Sequence, residues 1–302
     1  MKTLLTKLRL YLRLTRFDRP VGSLLLLWPT LWALWLAAAA NSTLGNLSLG
    51  NLTYGIPPIK ELCIFITGTF LMRSAGCAIN DAADAQFDAH VARTADRVVA
   101  TGEVSRREAI YVGLVLAGVS GSLLFFLKPA VWPWAFVAVA VAFCYPFCKR
   151  FFPIPQLILG VAFSMGIPLA YAAILGYVPV QAAWVFAANF CWIVAYDTAY
   201  AMADKPDDLK IGIRTSAIFF GKYDAVAIFV FQTAFIALWA NVLWQSKLGN
   251  AAWIALVIAM GLILSHIKPL FSRDRDACLR VFLANNRVGF VVWLGLVLAL
   301  LV

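Results

Sequence analysis

Residues 59–97 read IKELCIFITGTFLMRSAGCAINDAADAQFDAHVARTADR, and the fold turns on how that stretch divides. Its first part, Ile59 to Ile79, is an apolar run of the length a helix needs to cross about 30 Å of hydrocarbon. The run continues directly into Asn80, Asp81, Asp84 and Asp88, so a membrane helix carries a row of oxygen donors out of the bilayer. At about 100° per residue, Asn80, Asp84 and Asp88 share a helix face. Arg73 lies about 20° from Asn80 by the same arithmetic and forms the deeper, cationic end of that stripe. Ionisable residues in such places are usually functional.

The rest of the 302-residue chain fits a membrane reading. It is 63% hydrophobic and 13% charged, where a soluble chain carries roughly a quarter charged residues. That composition excludes a soluble enzyme or a disordered chain. The net charge of +10 is spread between apolar runs rather than along one soluble face, which argues against a nucleic-acid partner. Apolar runs fall near Val21–Ala40, Ile59–Ile79, Ala109–Leu127, Val131–Cys148, Leu157–Tyr177, Val180–Ala203, Ala225–Trp244, Ala251–Ile267 and Val288–Val302. The expected fold is an all-α membrane bundle of nine transmembrane helices. Residues 1–20 form an amphipathic arm and residues 21–302 a single polytopic domain.

Of the 25 basic residues, 21 lie in the arm and alternate loops if the N-terminus is cytoplasmic; Lys60, Lys128 and Lys247 lie in the others and Arg73 within a span. The positive-inside rule then puts the N-terminus in the cytoplasm, and a bacterial inner membrane is the expected location. In the arm, Leu4, Leu8, Leu12 and Phe17 alternate with Lys7, Arg9, Arg13 and Arg16, the pattern of a helix lying on the membrane surface, where anchoring is its expected role. A cleaved signal ending at Ala38–Ala40 is the rival reading of the first run; its twenty-residue basic lead and near-spanning length argue against it. Fourteen of the 15 acidic residues lie on or beside the same face, with Glu61 the exception. Acidic residues contribute little to orientation, so their gathering has a chemical cause.

The second gathering follows the sixth run, in VAYDTAYAMADKPDDLKIGIRTSAIFFG, residues 194–221. Asp197, Asp204 and Asp208 repeat the spacing of Arg73, Asn80 and Asp84 at an offset of 124 residues, and Arg93-Thr94 is echoed by Arg214-Thr215, a pattern that suggests a distant internal duplication. Pro206 disfavours helix at Lys205, so the stripe is expected to break between Asp204 and Asp208. Carboxylates crowded at a membrane surface repel unless cations separate them. An all-oxygen set suits Mg²⁺, which binds through carboxylates plus substrate phosphate. With Arg93, Arg97, Lys210 and Arg214 nearby, the two clusters form a candidate diphosphate clamp.

The strings NDAADAQFD and DKPDD match the NDxxDxxxD and DxxxD motifs of the UbiA-type membrane prenyltransferases, which the chain resembles from RPVGSLLLLWPTLWALW to the loop after the sixth run. LLLLWPTLWAL, LMRSAGC, YDTAYAM and DDLKIGI are most similar to the branch acting on 4-hydroxybenzoate. The resemblance implies a helical bundle in which Asn80, Asp84, Asp88, Asp204 and Asp208 hold Mg²⁺ against a polyprenyl diphosphate, with Asp81 and Asp207 in support. It also implies transfer of the prenyl group to the ring carbon ortho to a phenol, in ubiquinone synthesis; another aromatic acceptor is the alternative. Ala82, Ala85, Ala92 and Val98-Val99 depart from the family pattern and bear on phosphate contacts and the loop, not on the carboxylates.

A small aromatic carboxylate needs a cation near the ring site. Arg73 is the leading candidate, with Asp81 and Asp197 beside it at the chemistry; pairing of Arg73 with Asp197, or snorkelling, is the bland alternative. Lys149 and Arg150 either meet the diphosphate or mark topology. The segment SRDRDACLRVFLANNR holds both charge signs and reads as a solvated linker, with a contribution to the site as the alternative. The six cysteines and two histidines, His90 and His266, fit no zinc or haem pattern. A membrane alcohol phosphotransferase would require a continuous DGxxAR-type motif, which is missing, and a transporter would place its charges near the midplane.

Overall fold

The computed structural model describes residues 2–43, 55–88, 94–148 and 151–301, and among them every regular element is a helix. Thirteen α-helices run in chain order: α1 Lys2–Leu14, α2 Val21–Thr43, α3 Ile59–Asp88, α4 Arg106–Ser122, α5 Trp132–Cys148, α6 Pro155–Ser164, α7 Gly166–Leu175 and α8 Val180–Ile211. Then follow α9 Ser216–Phe220, α10 Asp224–Ser246, α11 Asn250–Ser265, α12 Ile267–Ser272 and α13 Arg275–Leu301. Backbone groups in hydrocarbon must be satisfied within the segment, which is why apolar runs of this length become helices.

Among the described residues, seven stretches are long and apolar enough to cross a membrane: Val21–Ser42, Ile59–Gln86, Arg106–Phe126, Pro155–Leu175, Ser216–Ser246, Asn250–Ser272 and Arg275–Leu301. The other two expected runs fall on α5, whose apolar helix Pro129–Cys144 is shorter, and on α8, where Gln181, Asn189 and Asp197 dilute the apolar character. The run near Leu157–Tyr177 divides at Met165 into α6 and α7.

The core gathers where α2, α8, α10 and α13 meet. Trp32, Trp192, Trp239, Tyr196 and Phe235 are all buried there. Trp32 and Trp192 have centroids 5.3 Å apart, Trp32 and Trp239 meet edge to face at 5.2 Å, and Trp192 stacks on Phe235 at 5.9 Å. In lipid the hydrophobic effect does not drive helices together, so shape and interhelical hydrogen bonds set the register. Three such bonds pin α13: Trp32 Nε1 donates to the Gly289 carbonyl (3.1 Å), Trp192 Nε1 to Asn285 Oδ1 (3.0 Å) and Trp28 Nε1 to Asn286 Oδ1. A Cβ on Gly289 would lie 2.5 Å from Trp28 and 2.8 Å from Trp192, so only glycine lets those rings approach.

These pairs also fix direction. Trp28, Trp32 and Trp35 meet Phe290, Gly289 and Trp293, so α2 and α13 begin at the same end of the bundle. Going down α8, Trp192 bonds Asn285, Tyr196 packs on Phe282 and Asp207 meets Arg275, so α8 finishes where α13 starts. Arg73, midway along α3, lies against Gly22 early in α2, and Asp81 beyond it meets Arg16, which precedes α2. The α3 and α8 C-termini, with their aspartates, are thereby brought to one end.

Candidate active site

The first aspartate cluster is the last part of α3. Asp81 is 2% exposed, and both its oxygens accept from the Arg16 guanidinium, at 3.0 and 2.9 Å. Arg16 is one of three non-glycine residues with a left-handed backbone (φ 56°) among those described. That turn redirects the chain after α1, and Arg16 stabilises it by donating to the Arg13 carbonyl. Arg97 bridges Asp81 (3.2 Å) and Asp88 (2.8 Å), and Thr94 Oγ1 donates to the Asp88 carbonyl. Burial pushes the Asp88 carboxyl above the usual range, against the pull of Arg97. Leu14, fully buried, seats the arm in a small core with Ala78, Ala82, Val98, Val99, Val104 and Ala109. The arm thus braces α3, a role its surface-helix pattern did not signal.

The second cluster lies in an unbroken helix. α8 runs through Pro206 to Ile211 and ends at Gly212 in the left-handed conformation (φ 73°), whose N–H bonds the Asp208 carbonyl. The break expected at Pro206 does not occur, and side chains around that turn bond to the neighbouring elements. Lys205 Nζ donates to the Gly221 carbonyl and to Asp224, both at 3.0 Å. Arg275 donates to the Ala203 carbonyl (2.8 Å) and to Asp207 (2.6 Å), and Lys210 stands 3.5 Å from Asp207. The Arg275 guanidinium holds the Asp207 carboxyl below the usual range. Asp224 itself is fully buried, accepting from Lys205, from Arg273 (2.9 and 3.1 Å) and from the Ala225 N–H. The segment read as a solvated linker thus supplies Arg273 and Arg275 to this frame.

Above the second cluster, Trp192, Tyr196, Tyr200, Asp204 and Asp208 follow one another every four residues along α8. The first three are aromatic, and Phe282 packs on Tyr196 and Tyr200 at 5.8 and 4.8 Å. An aromatic wall therefore leads out of the core into the carboxylates, and the i, i+4 pattern was visible in the sequence. Asp197 adjoins Tyr196 in the chain, and Arg73 lies near enough to act electrostatically on the Tyr196 hydroxyl. A Cβ on Gly22 would come 2.9 Å from the Arg73 guanidinium, so glycine makes room for it. Arg214 reaches the Phe151 carbonyl (2.8 Å). Arg93, Lys149 and Arg150, and also His90, lie outside the described residues.

Among the described residues no three His, Cys, Asp or Glu side chains converge into a preformed metal cluster. The donor set still fits Mg²⁺: it is all oxygen, and Mg²⁺ is usually held by one or two carboxylates plus substrate phosphate rather than by an all-protein cage. Asp81 and Asp207 each have both oxygens engaged by basic side chains.

A family model for the UbiA prenyltransferase family matches residues 26–295. The chain is 48% identical over 292 residues to a 4-hydroxybenzoate octaprenyltransferase of Paracidovorax citrulli, covering 97% of this chain and 94% of that one. It is 48% identical to another from Azoarcus sp., with 99% of each covered. The fold is that of a UbiA homologue from Aeropyrum pernix solved without ligand (TM-score 0.76, 21% identity, covering 93% of this chain and 98% of that one). A homologue from Archaeoglobus fulgidus bound to GPP and Mg²⁺ has the same fold (TM-score 0.65, 18% identity, 94% and 99% covered). With two aspartate clusters at one end of a helical bundle and a family match over most of its length, this chain belongs to the UbiA prenyltransferase family.

Proposed function

We propose that this protein transfers a polyprenyl group from its diphosphate to the ring carbon ortho to the hydroxyl of 4-hydroxybenzoate, in ubiquinone synthesis. Full-length identity of 48% with 4-hydroxybenzoate octaprenyltransferases is the observation that carries this reading. The proposed topology has nine crossings, α5 and α8 included, with the arm and both aspartate clusters on the cytoplasmic side of a bacterial inner membrane. The distribution of basic residues supports it.

Asn80, Asp84, Asp88, Asp204 and Asp208 are the proposed metal ligands. Asp81 and Asp207 anchor the two helix ends through Arg16, Arg97 and Arg275. Bound Mg²⁺ supplies Lewis acidity, neutralising charge that develops on the departing diphosphate oxygens. Lys210 and Arg214, both exposed, are placed to receive the remaining phosphate oxygens; Arg93, Lys149 and Arg150 are further candidates. The allylic C–O bond breaks with its electron pair leaving on diphosphate, a C–C bond forms at the ring, and the ring proton departs. Arg73 binds the acceptor carboxylate, with Asp197 orienting Arg73 and offering negative charge to the allylic centre. The prenyl tail lies against the apolar helices toward lipid.

The test is purified protein given a polyprenyl diphosphate and labelled 4-hydroxybenzoate, with Mg²⁺ present or chelated. The expected result is Mg²⁺-dependent release of diphosphate matched by lipid-extractable label. Diphosphate release without labelled product would mean a different acceptor, and no release from folded protein would overturn the prenyl-transfer reading.

A further inference from the structure

Pro206 leaves the Met202 carbonyl without its helical donor and crowds it, yet α8 continues five residues past it and carries Asp207 and Asp208. On the helical wheel Asp204 and Asp208 stand about 40° apart, with Lys205 about 60° to one side of that pair and Asp207 about 60° to the other. Both flanking side chains are tied outward. Lys205 is drawn to α10 by buried Asp224 and the Gly221 carbonyl, and Asp207 is drawn to α13 by Arg275. The Arg275 Nε also takes the Ala203 carbonyl, next to the one Pro206 strips of its partner.

We propose that Arg275 is a positioning residue: opposite the Lys205–Asp224–Arg273 cluster, it keeps the end of α8 helical past Pro206, so that Asp204 and Asp208 remain on one face for the metal-bound diphosphate. The inference rests on the prenyl-transfer reading of that site. Arg275 acts through Asp207 and the backbone, since its Nε and one terminal nitrogen are already committed there. The proline explains why an arginine is needed: the planar fork offers two nitrogens at a fixed separation, Nε to the Ala203 carbonyl and a terminal nitrogen to Asp207, whereas the single ammonium of a lysine would have to reach both from one atom.

The test compares Arg275→Ala, Arg275→Lys, Pro206→Ala and the Arg275→Ala/Pro206→Ala double variant in full-length protein. The readouts are the Mg²⁺ half-saturation of prenyl transfer and hydrogen exchange of amides 207–211. Arg275→Ala raises the Mg²⁺ half-saturation about tenfold, as loss of an outer-shell partner does, and speeds exchange of those amides. Pro206→Ala, which restores a backbone hydrogen bond, brings most of both changes back in the double variant, whereas Arg275→Lys recovers little. Unchanged exchange in Arg275→Ala overturns the proposal. So does a raised Mg²⁺ requirement that Pro206→Ala fails to rescue, because Arg275 would then act on the diphosphate directly. If the wild type shows no Mg²⁺-dependent turnover, the functional reading fails, while the exchange comparison still decides whether Arg275 anchors the helix.

Discussion

The two aspartate clusters occupy equivalent ends of α3 and α8 but are braced in different ways. Behind the first, Asp81 meets Arg16 and Arg97, whose side chains are 23% and 19% exposed and come from the arm and from the stretch leading to α4. Behind the second, Asp224 is fully buried between α8, α10 and the start of α13, with Lys205 and Arg273 on it. Both ends of the chain are thus used to brace the site, since Arg16 precedes the first span and Arg275 opens the last helix. Both carboxylates are desolvated, but Arg16 and Arg97 sit on turns between helices, whereas Lys205 lies within α8 and Arg273 where α12 meets α13. A cation carried on a turn shifts at lower cost than one set among packed helices, so the second cluster is the fixed half of the clamp and the first the adjustable half.

If the halves share one diphosphate, each must fail when either loses a ligand. Asp84→Ala and Asp204→Ala are each expected to lower turnover about a hundredfold or more, with the fold retained. Steady-state rates at saturating Mg²⁺ check this, and a large loss from one variant alone would break the symmetry. Stability should separate the halves. Asp224→Ala strands Lys205 and Arg273 around a buried gap and is expected to cost about 3 kcal/mol or more. Asp81→Ala leaves Arg16 and Arg97 on turns that can shift to new partners, and should cost less, about 2 kcal/mol. Unfolding of both variants in the same lipid nanodiscs decides it, and equal losses would mean that the first cluster is as rigidly framed as the second.

Much of this was legible in the sequence. Hydropathy and length gave the membrane helices, and the spacing of Asn80, Asp84 and Asp88 and of Asp204 and Asp208 marked the two clusters. What spacing cannot carry is a partner far away in the chain. Arg16 read as one more surface charge, and Arg273 and Arg275 as parts of a hydrated loop, because their carboxylates lie 65, 49 and 68 residues away in sequence. Asp224 stands outside both spaced clusters in the sequence, and only the fold brings Lys205 and Arg273 onto it. The expected break at Pro206 failed for the same reason: local propensity favoured it, and tertiary hydrogen bonds overrode it.

The smallest expected effect has opposite signs in the two clusters. Asp207 has its folded pKa lowered by Arg275, so its contribution to stability is complete above the unfolded value of about 3.9 and is lost as pH falls from there through the folded value. Asp88 has its folded pKa raised by burial. Its protonated form is therefore favoured in the fold, and stability declines as pH rises from about 3.9 through the folded value. With Mg²⁺ chelated, the stability advantage of wild type over Asp207→Asn should stay flat from neutral pH down to about 4 and close below it. The corresponding difference from Asp88→Asn should shift against wild type as pH rises through the carboxylate range. Parallel curves for the two pairs would show that arginine and burial act alike on both carboxylates, and the electrostatic difference between the two clusters would be lost.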